Sequence, residues 1–287
     1  MTEPQASAAT HQTLPTSENT TFAPALTPLR SSTRRFPALR TIAALVLREM
    51  STRYSRTPGG YIWNIMEPLA AILFLSLGFS LMLRSPALGT SFLLFYATGY
   101  LPFELYNTIS RTCAASVNFS RPLLRFPAVT WVDALIARFL LNGMTSALTA
   151  FILIVGVLIT LDTRTILDIP PILRAIGLSL LLGLGIGSLN CTLFGLYPLW
   201  GVIWGIITRP LFLASGVLFL FEDVSAEGQA ILWYNPLMHI TGLMRTGFYP
   251  SYSAAYVNES FVLFVSLVLL AFGVLLLGRY HRDLINI

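Results

Sequence analysis

Three charged side chains, Glu67, Glu104 and Arg209, stand inside long apolar runs. An ionised group at the centre of a bilayer costs about 2.5–3.5 kcal/mol on insertion scales, so it faces a partner or an aqueous cavity. Two roles are open to them: a structural ion pair of Arg209 with one of the glutamates, or the lining of a pore. A second set that could do chemistry is Ser215-Gly216 with His239 downstream, a nucleophile and base in principle. Its context is poor, because Leu213 stands where a GxSG elbow needs glycine and His239 adjoins the Asn235-Pro236 break.

Other chemistries are excluded more firmly. All eighteen basic residues are arginine, since the chain contains no lysine; a Walker-A loop and a Schiff-base enzyme both need one. Gly183, Gly185 and Gly187, and again Gly201 and Gly205, form small-residue strings without the GxGxxG spacing. Close helix packing explains them better than a phosphate cradle. Cys113 and Cys191 belong to no CxxC or Cys/His cluster, so neither a metal site nor a disulfide is expected.

These residues must be positioned by membrane-spanning helices. The chain of 287 residues has a mean hydropathy of +0.70, with 55% hydrophobic and 11% charged residues, whereas a soluble domain carries about 25% charged. Spans are expected at about 62–83, 92–109, 134–161, 172–193, 199–221 and 260–277; the first alone is long enough for a hydrocarbon core of about 30 Å. Before them, residues 1–36 read as a tail rich in Ser, Thr, Ala and Pro and without an apolar signal segment. Residues 37–56 read as an amphipathic helix, with Leu39, Ile42, Val46, Met50 and Tyr54 on one face. Its arginines suit an anionic leaflet; an ordinary surface helix is the plainer alternative.

Arginine placement sets the expected orientation. Arg30, Arg34, Arg35, Arg40, Arg48, Arg53, Arg56, Arg111, Arg121, Arg125, Arg279 and Arg282 fall on one side, while Arg84, Arg164, Arg174 and Arg245 fall on the other. The positive-inside rule then places both termini in the cytoplasm. The outer segment 222–259 contains two moderately apolar stretches, Ala230–His239 and Thr241–Phe248, that read as short re-entrant helices or as a loop lying on the membrane. Tyr61, Trp63, Phe103, Tyr106, Trp200, Trp204 and Trp233 sit at or within span ends. Such aromatics form interfacial belts, and a minority can stack on sugar rings.

Several segments resemble a known family. The run Arg48-Glu49-Met50-Ser51-Thr52-Arg53-Tyr54, followed by Thr57-Pro58-Gly59-Gly60-Tyr61-Ile62-Trp63 and Glu67-Pro68, is similar to the N-terminal signature of membrane subunits of type-2 ABC exporters, in the capsular-polysaccharide branch. Asn118-Phe119-Ser120-Arg121-Pro122-Leu123-Leu124-Arg125-Phe126-Pro127 resembles that family's first cytoplasmic loop. Ser215-Gly216-Val217, Asn235-Pro236-Leu237 and Arg245 resemble its outer gate region.

The resemblance implies an all-α, polytopic fold of six transmembrane helices, and a homodimeric permease paired with two copies of a separate ABC ATPase. It implies outward movement of lipid-linked polysaccharide across the inner membrane, with no cofactor bound directly, ATP used by the partner subunit, and no nucleic acid. Periplasmic and outer-membrane export components are conceivable further partners. By the same likeness Asn118, Phe119, Ser120, Arg121, Leu123, Leu124, Arg125 and Phe126 belong to an ATPase-coupling helix, and Arg48, Glu49, Arg53, Tyr54 and Arg56 to an interface helix. Candidate pore or gate residues are Tyr61, Trp63, Glu67, Glu104, Arg209, Asn235, Pro236, His239 and Arg245. A short helix held by Pro122 and Pro127 between two long spans can act as a rigid lever.

Competing classes are weaker. O-antigen and teichoic-acid permeases share much of the pattern. A membrane enzyme needs converging carboxylates, His or Cys, and a secondary transporter is disfavoured by the lack of internal repeats.

Overall fold

The structure is a computed structural model that describes residues 37–54, 60–126, 128–161 and 166–286. The expected tail 1–36, the end of the interface helix at Arg56, the Thr57-Pro58-Gly59 part of the signature, Pro127 and Arg164 lie outside the described residues, and for Arg53, Tyr54 and Tyr61 the description stops at the backbone. Among the described residues ten α-helices follow one another: α1 (Pro37–Tyr54), α2 (Gly60–Met82), α3 (Phe92–Ala114), α4 (Ser116–Leu124), α5 (Trp131–Thr160), α6 (Ile169–Leu196), α7 (Pro198–Leu213), α8 (Ala226–Leu232), α9 (Pro236–Thr246) and α10 (Glu259–Asn286), with a 3-10 turn at Phe221–Asp223. No strand occurs among the described residues.

Length and composition make α2, α5, α6 and α10 able to cross a membrane. The 23-residue α3 is long enough but carries Glu104, Asn107 and Arg111, and α7 is apolar but has only 16 residues. Local chemistry marks the ends. Thr130 and Asp133 close a reciprocal capping box at the start of α5, which satisfies two of the otherwise orphaned backbone donors there. Pro170 and Pro171 open α6 and Pro198 opens α7, positions where the missing N–H has no helical partner to lose.

The core is built around α3, with α6, α5, α2 and α9 packed on its sides and α10 on the far side of α6. Glycine permits these close approaches. A Cβ at Gly183 would stand 2.8 Å from the Tyr106 carbonyl of α3, and one at Gly187 would stand 2.6 Å from Cys113 Cβ. On the opposite face of α6, a Cβ at Gly185 would come within 2.7 Å of the Ser266 carbonyl of α10. The glycine string of the fourth apolar run is therefore a two-sided packing surface. Gly201 and Gly205 behave differently: nothing lies within 4 Å of either added Cβ, and α7 buries no residue within the chain.

Two boundaries depart from the apolar pattern. The fifth apolar run reaches Phe221, yet α7 ends at Leu213 and the chain reverses through Gly216, whose φ of +73° favours glycine. The two short helices break at Trp233–Asn235, so His239 and Thr241 lie on one continuous helix, α9. Asn235 caps it by accepting from the Leu237 N–H at 3.0 Å, and that cap together with Pro236 fixes where it starts.

Candidate functional site

Two polar clusters occupy opposite ends of the core. One surrounds a cavity of about 810 Å³ walled by α1, α2, α3 and α5, with Phe119 of α4 at its edge. Into it project Arg48 and Glu49 from α1, Asn64 and Glu67 from α2, and Glu104, Thr108, Arg111 and Thr112 from α3. The α5 wall supplies Arg138, Asn142, Thr145, Ser146 and Thr149. Helical periodicity explains the α3 wall, since Glu104, Thr108 and Thr112 recur every fourth residue. Thr108 Oγ1 donates to Glu104 Oε1 at 2.7 Å, Asn107 and Tyr100 donate to Glu104 Oε2 at 3.5 and 3.4 Å, and Thr112 Oγ1 donates to the Thr108 carbonyl at 2.8 Å.

At the α1 edge of the cavity, Arg138 Nε faces Glu49 Oε2 at 3.3 Å, with both side chains almost fully buried. Arg138 Nη1 donates to the Thr112 carbonyl at 3.0 Å, and its Cζ lies 4.1 Å from the Phe119 ring centroid. Arg48 approaches the same ring at 5.8 Å. Helix α4 buries Ser116, Val117 and Ser120, and Arg121 Nη2 donates to the Leu284 carbonyl at the end of α10 at 3.0 Å. Asn118, Phe119, Arg125 and Phe126 stay exposed, while Arg121, Leu123 and Leu124 are half-buried. That leaves a short amphipathic helix seated on the bundle with an outward face.

The opposite cluster is organised by α9. Beyond α7, residues 214–220 are non-helical, and their carbonyls need donors because nothing in apolar surroundings supplies them. Asn235 Nδ2 donates to the Ala214 carbonyl at 2.9 Å and Thr241 Oγ1 to the Ser215 carbonyl at 2.7 Å. Arg245 donates to the carbonyls of Val217 at 3.2 Å and Phe219 at 3.1 Å. Arg245 is 1% exposed, and its guanidinium stacks 4.2 Å from the Phe95 ring centroid. Nearby, the Tyr252 hydroxyl donates to Glu222 at 3.1 Å and the Tyr256 hydroxyl to the Met238 carbonyl at 3.3 Å. Burial pushes Tyr256 up to about 12, so it remains a donor at any physiological pH.

The nucleophile and base do not meet. Ser215 Oγ donates to the Phe212 carbonyl at 2.6 Å. His239 lies inside α9, with Nε2 at 2.7 Å from the Trp233 carbonyl and Nδ1 accepting from the Asn258 N–H at 3.1 Å. Both ring nitrogens are occupied, so no proton can be passed to or from Ser215.

Of the expected pore residues, Glu67 and Glu104 share the cavity. Arg209 does not: it is exposed on α7 and makes an ion pair with neither glutamate. Trp63 is exposed on α2, while Phe103 and Tyr106 are core residues rather than part of an interfacial belt. Arg138, Asn142 and Arg111 were not expected in a site. An arginine within the apolar run 134–161 is itself the signal for the first.

The profile of the ABC-2 type transporter family matches residues 40–249. The chain belongs to that family. Relatives within reach of this ABC-2 chain include the polysialic acid transport protein KpsM of Escherichia coli, 27% identical over 238 residues, which are 82% of this chain and 92% of the relative. The capsule polysaccharide export inner-membrane protein CtrC of Neisseria meningitidis serogroup B is 27% identical over 244 residues, 85% of this chain and 92% of the relative. The capsule polysaccharide export inner-membrane protein BexB of Haemophilus influenzae is 26% identical over 247 residues, with the same coverage of 85% and 92%. In ABC-2 terms, the matched region runs from within α1 through α9, takes in the cavity lining and the Asn235, Thr241 and Arg245 donors, and stops short of Tyr252, Tyr256 and α10.

Proposed function

We propose that this chain is the permease subunit of an ATP-driven exporter that moves lipid-linked capsular polysaccharide across the bacterial inner membrane. The observation that carries the reading is α4, a short amphipathic helix laid across the ends of α3, α5, α6 and α10, with Asn118 and Phe119 exposed on it and Arg125 and Phe126 exposed just beyond its end. That face suits a docking partner that performs work on the bundle. The chain contains no lysine with which to build a Walker-A loop. ATP hydrolysis is therefore assigned to a separate ABC ATPase subunit, bound at α4 and α1, two copies serving a permease homodimer.

In this reading six helices cross the bilayer: α2, α3, α5, α6, α7 and α10. The arginine bias places α1, α4 and both termini in the cytoplasm and the α8–α9 cluster on the outer side. Two of the cavity walls, α3 and α5, are helices that α4 contacts, and the hydroxyl, amide and balanced charged lining suits a hydroxyl-rich cargo better than an apolar drug. The relatives named for capsule and polysialic acid favour that cargo over O-antigen or teichoic acid.

The test is genetic. Deleting the gene should remove polysaccharide from the cell surface and trap polymer in the cytoplasm. Re-expression should restore export only beside an ATPase subunit with an intact Walker-A lysine. Unchanged surface capsule in the deletion strain, or restoration without any ATPase, would overturn the reading. Loss of O-antigen in place of capsule would keep the transport reading and replace the cargo.

A further inference from the structure

We propose that Arg138 is a positioning residue of the exporter, the joint through which a movement of α4 reshapes the cavity. The proposal rests on the reading of α4 as the ATPase-docking element. Four elements meet at this one guanidinium: its own helix α5, Glu49 of α1 at 3.3 Å, the Thr112 carbonyl of α3 at 3.0 Å, and the Phe119 ring of α4 at 4.1 Å. Three of those elements, α1, α3 and α5, are cavity walls, and Phe119 is the residue of α4 that reaches the cavity.

The chemistry of the contact matters. A buried ion pair holds helices together no better than well-packed apolar residues, because desolvating both charges offsets most of their attraction. What the guanidinium adds is direction, since its planar fork donates to a carbonyl and stands 3.3 Å from a carboxylate while its face lies against an aromatic ring. A ring that slides out of the range of about 6 Å loses the cation–π contact. Displacing α4 therefore weakens one face of the joint and frees the fork to turn.

From Thr112 the link continues along the cavity wall. Thr112 Oγ1 bonds to the Thr108 carbonyl at 2.8 Å, and Thr108 Oγ1 bonds to Glu104 at 2.7 Å. Asn142 Nδ2 donates to the Arg138 carbonyl at 2.8 Å, so the α5 wall carries a second branch one turn further on. A shift at Phe119 is thus one guanidinium away from two walls, α3 and α5. The link is a chain of direct contacts rather than mere proximity, and coupling has to be measured rather than read from it.

The experiment uses the whole exporter, this chain with its ABC ATPase, reconstituted in vesicles and carrying Thr145→Cys as a cavity thiol. Cys113 and Cys191 are buried, so the introduced thiol reports. Maleimide labelling rates are compared in the nucleotide-free and the ATP/vanadate-trapped complexes. The two rates should differ by about fivefold or more, the lower end of ordinary allosteric couplings. Arg138→Met should bring their ratio to one and stop export while ATP hydrolysis continues, and Arg138→Lys should restore only part of the ratio. If Arg138→Met fails to assemble, Phe119→Leu keeps bulk on α4 but removes the aromatic face, and should lower the ratio as well.

A labelling ratio unaltered in Arg138→Met or in Phe119→Leu overturns the proposal, as does an unmodified exporter whose cavity thiol ignores ATP. Failure of the functional reading would look different, because the unmodified complex would then show no ATP-dependent export at all.

Discussion

Arg138 and Arg245 are both buried arginines stacked on a phenylalanine, at 4.1 Å from Phe119 and 4.2 Å from Phe95. Their remaining partners separate them. Arg138 has a carboxylate, Glu49, and borders a cavity of about 810 Å³. Among the described residues Arg245 has no carboxylate within ion-pair distance, and it directs its fork to the carbonyls of Val217 and Phe219. Backbone carbonyls of a chain reversal are fixed points, whereas a side-chain carboxylate on another helix can move with that helix. The same residue type therefore serves as a rivet at the α9 end and as a joint at the α4 end.

Breaking the rivet should have the largest effect. Arg245→Met leaves one buried and one partly buried carbonyl without its donor, each worth about 1–3 kcal/mol, so little monodisperse protein is expected on gel filtration in detergent. Arg138→Met leaves Glu49 beside a water-accessible cavity and should yield folded protein; equal loss in both variants would erase the distinction. Next, Asn235→Ala removes the α9 cap and the donor to the Ala214 carbonyl, a loss of about 2 kcal/mol, visible as a lower thermal midpoint of the purified chain. Glu49→Gln keeps shape and hydrogen bonding but loses the charge. It should cost about 1 kcal/mol or less in stability, because water in the cavity can solvate Arg138, while export per ATP hydrolysed falls measurably. The smallest effect belongs to Arg174→Gln, which opens the exposed 2.5 Å pair with Glu259 between α6 and α10. Exposed pairs contribute about 0–1 kcal/mol, so its midpoint should match that of the parent chain.

Hydrocarbon-length runs are a property of composition, and for that reason α2, α5, α6 and α10 are legible in the order of residues alone. The end of α7 is not. Leu213 to Phe221 continues as an apolar run, and only the donors on α9, far along the chain, make a non-helical reversal stable there. The site is legible by residue type and illegible by assembly. Glu67 and Glu104 stand out as charges in apolar surroundings, and Arg48, Glu49 and Phe119 by resemblance, but nothing local says that they share a cavity. Arg138 sends the same signal as Arg209, yet one is buried and paired while the other is exposed on α7. Burial is decided by which helix turns its face inward, which a single charge in an apolar run does not report.

The bond from Arg121 to the Leu284 carbonyl spans 163 positions of sequence. On the ribosome α4 emerges well before α10, so this tie between them forms only after α5 to α9 have been made, and until then α4 rests on its contacts with α3, α5 and α6.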